Sequence, residues 1–287
     1  MKRVLVFGAS GQIGDGLLPL LRDEGCEVLA VSRQSRTDGE GLRWMVGALD
    51  EALPRPPGEF DAVFSLGPLD AFARWHERVG PVAPRVVAFG STSIAAKSAS
   101  VDAEERDVVR RLRVAEDSLF AVGARHGVAV TVLRPTMIYG RGRDQTLSRI
   151  AAFARRRGFF ALPRNATGLR QPVHADDLAT IALAVARAAQ PGGRAYDVPG
   201  GETLRFDAMV ARTLAALSPR PRLLRLPPRL FRLAMAGARG MGTIDAVNTA
   251  MLDRLDADLV FDAGDARRDF GYAPRAFAPE AAMFTSP

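Results

Sequence analysis

The segment that most constrains this chain is Gly8-Ala9-Ser10-Gly11-Gln12-Ile13-Gly14. An apolar run, Val4-Leu5-Val6-Phe7, precedes it and reads as a buried strand, and Leu17, Leu18, Leu20 and Leu21 follow at helical spacing. Strand, glycine turn and helix, in that order, are the context a dinucleotide-binding fingerprint requires. Gly8 lets the chain turn off the strand, Gly11 lets backbone approach a pyrophosphate, and Gly14 lets the helix pack against the sheet. The helix start offers N–H groups and its positive dipole end to phosphates. A tight strand-to-helix turn without a ligand would also use glycines; the position directly after a strand favours the dinucleotide. The expected contacts are Gly8, Ser10, Gly11, Gln12, Ile13 and Gly14.

A second strand, Glu27-Val28-Leu29-Ala30-Val31, ends in Ser32-Arg33-Gln34-Ser35-Arg36. An acidic residue at such a strand end would bond the adenosine ribose, whereas an arginine accommodates a 2′-phosphate. No Asp or Glu stands here, while Arg33 and Arg36 do, so NADP(H) is expected ahead of NAD(H). The competing reading is a pair of surface arginines in an arginine-rich chain.

Further strands are expected around 43–46, at 60–65, at 85–89 and at 128–133, separated by helices at 70–79 and 103–126. Strands alternating with helices indicate an α/β fold whose parallel sheet is covered on both faces. Ligands of such sheets lie beyond the carboxyl ends of the strands. Gly8 to Gly14, Ser91 to Ser93 and Pro135 to Gly140 all fall at such ends. Beyond Gly140 the reading is helical at 144–157, extended at 168–173, helical after 174–177 as far as 189, extended at 196–198 and helical at 206–217. A proline-rich stretch, 219–228, then separates a basic apolar helix, 229–239, that could rest on a membrane surface or pack into its own domain. This half is where a substrate pocket would be built.

The 287 residues suffice for one large domain or two modest ones sharing a core. Cys26 is the sole cysteine, which excludes an intramolecular disulfide and suits a cytoplasmic setting. A strand that begins almost at Met1 leaves no room for a signal peptide, and no apolar run reaches membrane-spanning length. The net charge is +7, carried almost wholly by arginine, since Lys2 and Lys97 are the only lysines. The cluster Arg155-Arg156-Arg157 suits the C-terminal dipole of a helix. Zinc spacing, an RNA-binding aromatic signature and internal repeats are absent, so nucleic acid is not expected as a partner.

Several segments together resemble the extended or atypical short-chain dehydrogenase/reductases, within them the NAD(P)-dependent epimerase/dehydratase family, whose members often act on nucleotide sugars. They are Gly8-x-x-Gly11-x-x-Gly14, Ser91-Thr92-Ser93, Leu133 to Gly140, Arg170-Gln171-Pro172-Val173-His174-Ala175-Asp176-Asp177, and Asp269-Phe270-Gly271-Tyr272-Ala273-Pro274. The resemblance implies a doubly wound Rossmann domain that binds NAD(P) over 1–140, with 174–190 returning to it, and a smaller, mainly C-terminal substrate domain over 141–287. It implies that Ser91 and Ser93 face the nicotinamide and the reacting carbon, that Pro135 covers the nicotinamide end, that Leu66 is a further cofactor contact, and that Arg170 meets a substrate phosphate. Arg170 reads equally as a structural arginine paired with a carboxylate.

The family's reactive pair is a Tyr and a Lys four residues later on the long helix after the fifth strand. The only tyrosines here are Tyr139, Tyr196 and Tyr272, and four residues beyond them stand Arg143, Gly200 and Ala276. Aligning Glu116 with the acidic residue often found on that helix puts Val108 and Leu112 at the two positions. Proton transfer needs a tuned group within hydrogen-bond reach of the substrate oxygen. Tyr139, His174 and Lys97 could replace the pair by residue type, each with a structural reading beside it. Two functions follow: an epimerase/dehydratase-like oxidoreductase acting on a nucleotide-sugar or other phosphorylated small molecule with an unorthodox proton donor, or a catalytically inactive NADP(H)-binding sensor or scaffold. A homodimer through the long helix is common in the superfamily.

Overall fold

The computed structural model describes residues 1–49, 53–98, 100–189, 192–240 and 254–284, without the side chains of 237–240. Its centre is a seven-stranded parallel sheet of β1 (Arg3–Phe7), β2 (Glu27–Ser32), β3 (Leu42–Val46), β4 (Ala62–Ser65), β5 (Arg85–Phe89), β6 (Ala129–Pro135) and β11 (Arg194–Val198). The order is β11-β6-β5-β4-β1-β2-β3, so the direction of winding reverses between β1 and β4. Strands β1, β4 and β5 are buried along nearly their whole length, which is why they read as continuous apolar runs rather than alternating ones.

Helices cover both faces. On one side α1 (Gly14–Asp23) packs with α6 (Ala175–Arg187), joining Leu17, Leu21, Leu178 and Ile181 to the sheet residues Val4, Val6 and Phe64. On the other side α2 (Leu69–Val79) packs with α4 (Ala103–His126), the short α3 (Ser93–Ala96) lying between them in the chain, and Phe72, Trp75, Ala115 and Leu119 meet Leu5, Phe7, Val63 and Val132. The N-terminus of α4 is capped by Asp102, whose carboxylate accepts the N–H groups of Glu104 at 2.8 Å and Glu105 at 3.2 Å. Glu116 of α4 receives a forked hydrogen bond from Arg134 of β6, which fixes the helix against the sheet.

The second half builds a third core from α5 (Leu147–Arg157), β8 (Phe159–Pro163), α7 (Phe206–Ala215) and the tail, with Leu147, Leu162, Met209, Val210 and Phe277 buried together. Short strands complete it: β7 (Ile138–Tyr139) beside β10 (Val173–His174), and β9 (Leu169–Arg170) beside β12 (Leu204–Arg205). The proline-rich stretch expected only to separate two helices contains β13 (Arg222–Leu226), paired in parallel with β8 and followed by α8 (Pro228–Gly240). The extended 196–198 belongs to the central sheet, because β11 lies parallel to β6 from Arg194 onward. The turn α9 (Gly264–Phe270) packs on β11 and α6, and Tyr272 just beyond it donates to the Pro199 carbonyl at 2.8 Å.

Candidate functional site

The glycine loop lies at the carboxyl end of β1, beside the point where the strand order reverses. Gly8 has φ +73°, and a Cβ there would stand 3.0 Å from the carbonyl carbon of Leu66, the residue that follows β4. The loop is closed by the Gly11 N–H, which donates to the Gly8 carbonyl at 2.9 Å. Gly14 differs from its sequence-based reading. A Cβ there would sit 2.2 Å from the Ala9 carbonyl oxygen, so its missing side chain lets the first turn of α1 fold onto the loop's own backbone rather than onto the sheet face. Among the described residues the amides of Gln12 and Ile13 donate to no carbonyl, and the buried Oε1 of Gln12 has no partner. Ser10 is bonded through its carbonyl, which accepts from Arg143 Nη1 at 2.6 Å; the same guanidinium pairs with Asp15 in the first turn of α1 at 3.0 Å. Arg141 reaches Asp176 in the first turn of α6, at 3.1 and 2.6 Å. The loop after β7 therefore bridges the N-terminal turns of the two packed helices.

A cavity of about 280 Å³ opens beyond the ends of β5 and β6, lined by Ser91, Ser93, Lys97, Thr136, Arg170 and Arg254 among others. The Pro135 carbonyl accepts from the N–H and the hydroxyl of Thr92, at 3.2 and 3.1 Å, and Ser91 Oγ accepts from the Ser93 N–H at 3.1 Å. The serine turn is thus fastened to Pro135, and both serines keep their side chains on the cavity wall.

Three cations share this wall. Lys97 Nζ lies 3.3 Å from Glu105, whose carboxylate also receives both terminal nitrogens of Arg254 and the Ser100 hydroxyl, the latter at 2.7 Å. The Arg254 hydrogen bond holds the Glu105 carboxyl down to about 2 against the opposing effect of its burial, with Ser100 and Lys97 adding to the depression. Arg170 is 6% exposed and lies over the Phe206 ring. It donates to the carbonyls of Leu169, Ala257 and Arg254 at 2.8, 2.7 and 2.6 Å. The carboxylate partner of its structural reading is not what holds it: among the described residues no carboxylate lies within ion-pair distance of this guanidinium. Burial lowers its pKa.

The remaining candidates are dispersed. Tyr139 is wholly buried, edge-on to His174 and Phe277, and is not on the cavity wall; burial raises its phenol. His174 caps α6, its Nδ1 accepting the Asp176 N–H at 3.1 Å, and burial lowers its pKa. Tyr196 donates to Asp269 at 2.9 Å, and burial with that bond raises its phenol. Val108 and Leu112 are half-buried on α4, Leu112 against the core under the sheet. Arg33 is exposed at the end of β2 with no ion pair among the described residues, and Arg36 lies over the Trp44 ring, 5.2 Å from its centre. Glu105, Arg254 and Arg143 are additions to the sequence reading. Glu105 and Arg254 stand 149 residues apart, and no local pattern links them. Arg143 alternates with glycines in Gly140-Arg141-Gly142-Arg143, a signal of a loop forced close to something.

Residues 66–198 match the NAD dependent epimerase/dehydratase family. An uncharacterized protein, y4nG of Sinorhizobium fredii, is 26% identical over 153 residues, which cover 53% of this chain and 37% of that protein. The matched part of the chain thus spans well under half the length of that curated relative. Among solved structures, MoeE5 in complex with UDP-glucuronic acid and NAD superposes with a TM-score of 0.68 at 21% identity, over 98% of this chain and 96% of that one. The epimerase Mth375 from Methanothermobacter thermautotrophicus gives 0.70 at 15% identity, over 99% and 90%. A UDP-galactose 4-epimerase gives 0.69 at 16%, over 99% and 97%.

Proposed function

We infer that this chain, whose residues 66–198 match the NAD dependent epimerase/dehydratase family, is a member of that family, binds a nicotinamide dinucleotide on the Gly8–Gly14 loop, prefers NADP(H), and acts on a nucleotide-sugar or another phosphorylated small molecule. The loop fits such a cofactor on its own geometry. Backbone fills the space where side chains at Gly8 and Gly14 would stand, the Gln12 and Ile13 amides are uncommitted, and Gln12 Oε1 is a buried acceptor awaiting a donor. The chemistry this cofactor class supplies is reversible hydride transfer. The chain's part is to hold the pyrophosphate at the start of α1, to receive a 2′-phosphate at Arg33 beside Arg36, and to shield the nicotinamide end with Pro135, Leu66 being a further cofactor contact.

The observation that carries the substrate class is the charge of the cavity. Lys97, Arg170 and Arg254 line it; Lys97 and Arg254 share the Glu105 carboxylate, and Arg170 is bonded only to carbonyls among the described residues. A phosphate would complete that balance and could be gripped bidentately. Ser91 and Ser93 would then orient the reacting carbon. Support for the reading as an enzyme also comes from relatives of the same fold that are UDP-sugar epimerases.

A second reading is favoured by a specific observation. All three phenols are occupied or sealed in the fold, and the positions aligned with the reactive Tyr and Lys hold Val108 and Leu112. That pattern suits an NADP(H)-binding protein without turnover. Under either reading we propose a cytoplasmic protein that forms a homodimer through α4. Calorimetric titration with NADPH and NADH, followed by a screen of UDP-sugars for hydride exchange into the bound cofactor, separates the two. Binding with exchange supports the enzyme, binding without exchange the sensor, and no binding removes both.

A further inference from the structure

β8 and β13 pair with Phe159 opposite Arg222 and Ala161 opposite Leu224. Side chains alternate across a strand. Phe160, Leu162 and Leu223 turn into the C-terminal core, and Phe159 and Leu224 are left on the opposite face, 38% and 40% exposed. β13 runs through Pro227 into α8, which packs on β8. α8 buries Phe231 and half-buries Met235 one turn later, so that stripe faces the protein. At 3.6 residues per turn, Leu230, Leu233 and Ala234 form a second stripe beside it, and Arg229 and Arg232 a third. Leu230 is 55% exposed and Leu233 70%. A helix that only covers its own domain needs one apolar stripe, not two.

Along the chain, the charge flanking these leucines has a single sign. No Asp or Glu occurs between Asp207 and Asp245, while seven arginines do. Arg212 and Arg225 are answered by Glu202 and Asp207; Arg222, Arg229 and Arg232 make no ion pair among the described residues. A second copy of this chain would bring the same positive charge to the contact, which opposes self-association. Among the described residues no helix is long and apolar enough to cross a membrane.

We propose that α8, with the exposed face of β8 and β13, is a docking surface for an anionic lipid bilayer. Leu230 and Leu233 enter the headgroup boundary, and Arg229, Arg232 and Arg222 pair with lipid phosphates. The surface is separate from the cavity and from the glycine loop, so the proposal stands whichever function the site has.

The test is co-sedimentation of the full chain with vesicles of phosphatidylglycerol mixed into phosphatidylcholine, against phosphatidylcholine alone. Binding to the anionic vesicles only, weakened by added salt, is the expected result. Leu230→Ser with Leu233→Ser, and separately Arg229→Gln with Arg232→Gln, each lower the partition coefficient about tenfold. Circular dichroism checks that both variants fold, and the wild-type series in lipid composition and salt tests the proposal even if one does not. No binding to anionic vesicles overturns it. So does binding that survives the serine pair while soluble polyphosphate competes it away, or a concentration-dependent dimer that the serine pair abolishes in place of any lipid binding.

Discussion

Arg143 Nη1 lies 2.6 Å from the carbonyl oxygen of Ser10, so a side chain from the loop after β7 closes the rim of the glycine loop. Its second partner, Asp15, holds the guanidinium over the first turn of α1, where a pyrophosphate would sit. Arg143→Ala should weaken NADPH binding about tenfold, the size expected for one charge-assisted hydrogen bond. Folding stability should change by at most about 1 kcal/mol, because the ion pair is partly solvated. Fluorescence titration with NADPH and a thermal melt on the same sample check the two together; an unchanged affinity would reduce Arg143 to a structural brace.

Arg33 and Arg36 differ in how free they are. Arg36 is laid on Trp44, whereas Arg33 ends β2 in solvent. Arg33→Ala should raise the Kd for NADPH about tenfold or more and leave that for NADH nearly unchanged, since only the former offers a 2′-phosphate to a guanidinium. Calorimetry with both nucleotides reads the ratio. Equal losses would remove the NADP(H) assignment.

Glu105 joins the two halves of the chain, taking Arg254 from the second half and Lys97 and Ser100 from the first. Its carboxyl is held at about 2, below the ordinary 4.5. A depressed carboxyl stabilises the fold fully above pH 4.5, and that contribution is lost as pH falls from 4.5 toward 2. Glu105→Gln should cost about 3 kcal/mol or more at neutral pH, the range for breaking one side of a buried pair, and should flatten the acid limb of the stability curve in that window. Denaturant melts across pH decide it; an unchanged acid limb would show that the pair is not coupled to folding.

The sheet was legible because β1, β4 and β5 are buried on both faces and therefore read as unbroken apolar runs. The helix α4 was legible to its last residue because Asp102 caps it and Gly127, at φ +67°, ends it. β13 was hidden by the prolines that flank it, Pro221 and Pro227, and by a pattern in which Arg222 and Leu224 both face solvent. The absence of a Tyr-x-x-x-Lys pair was readable by counting, and the fold supplies the reason none of the tyrosines stands in for it. Tyr139 is sealed between His174 and Phe277, while Tyr196 and Tyr272 are spent on Asp269 and Pro199. The Glu105–Arg254 pair could not be read, because ion pairs between distant residues leave no periodicity.

His76 offers a test of the core that is independent of any ligand. It is wholly buried on α2, tilted against Phe72, and neither ring nitrogen has a hydrogen-bond partner among the described residues. Burial, with a smaller push from His126, lowers its pKa from 6.5 to about 4. The unfolded chain protonates this ring below 6.5 and the folded chain does not until about 4, so stability is complete above 6.5 and declines as pH falls through that interval. The loss from this one group reaches about 2 kcal/mol near pH 5. His76→Leu removes both the titration and two unpaired polar atoms from an apolar neighbourhood of Phe72 and Trp75. The variant should match or exceed the wild type at about pH 8 and gain on it by roughly 2 kcal/mol at about pH 5. Urea unfolding at the two pH values measures the difference; parallel losses in both proteins would show that His76 stays charged or solvated in the fold.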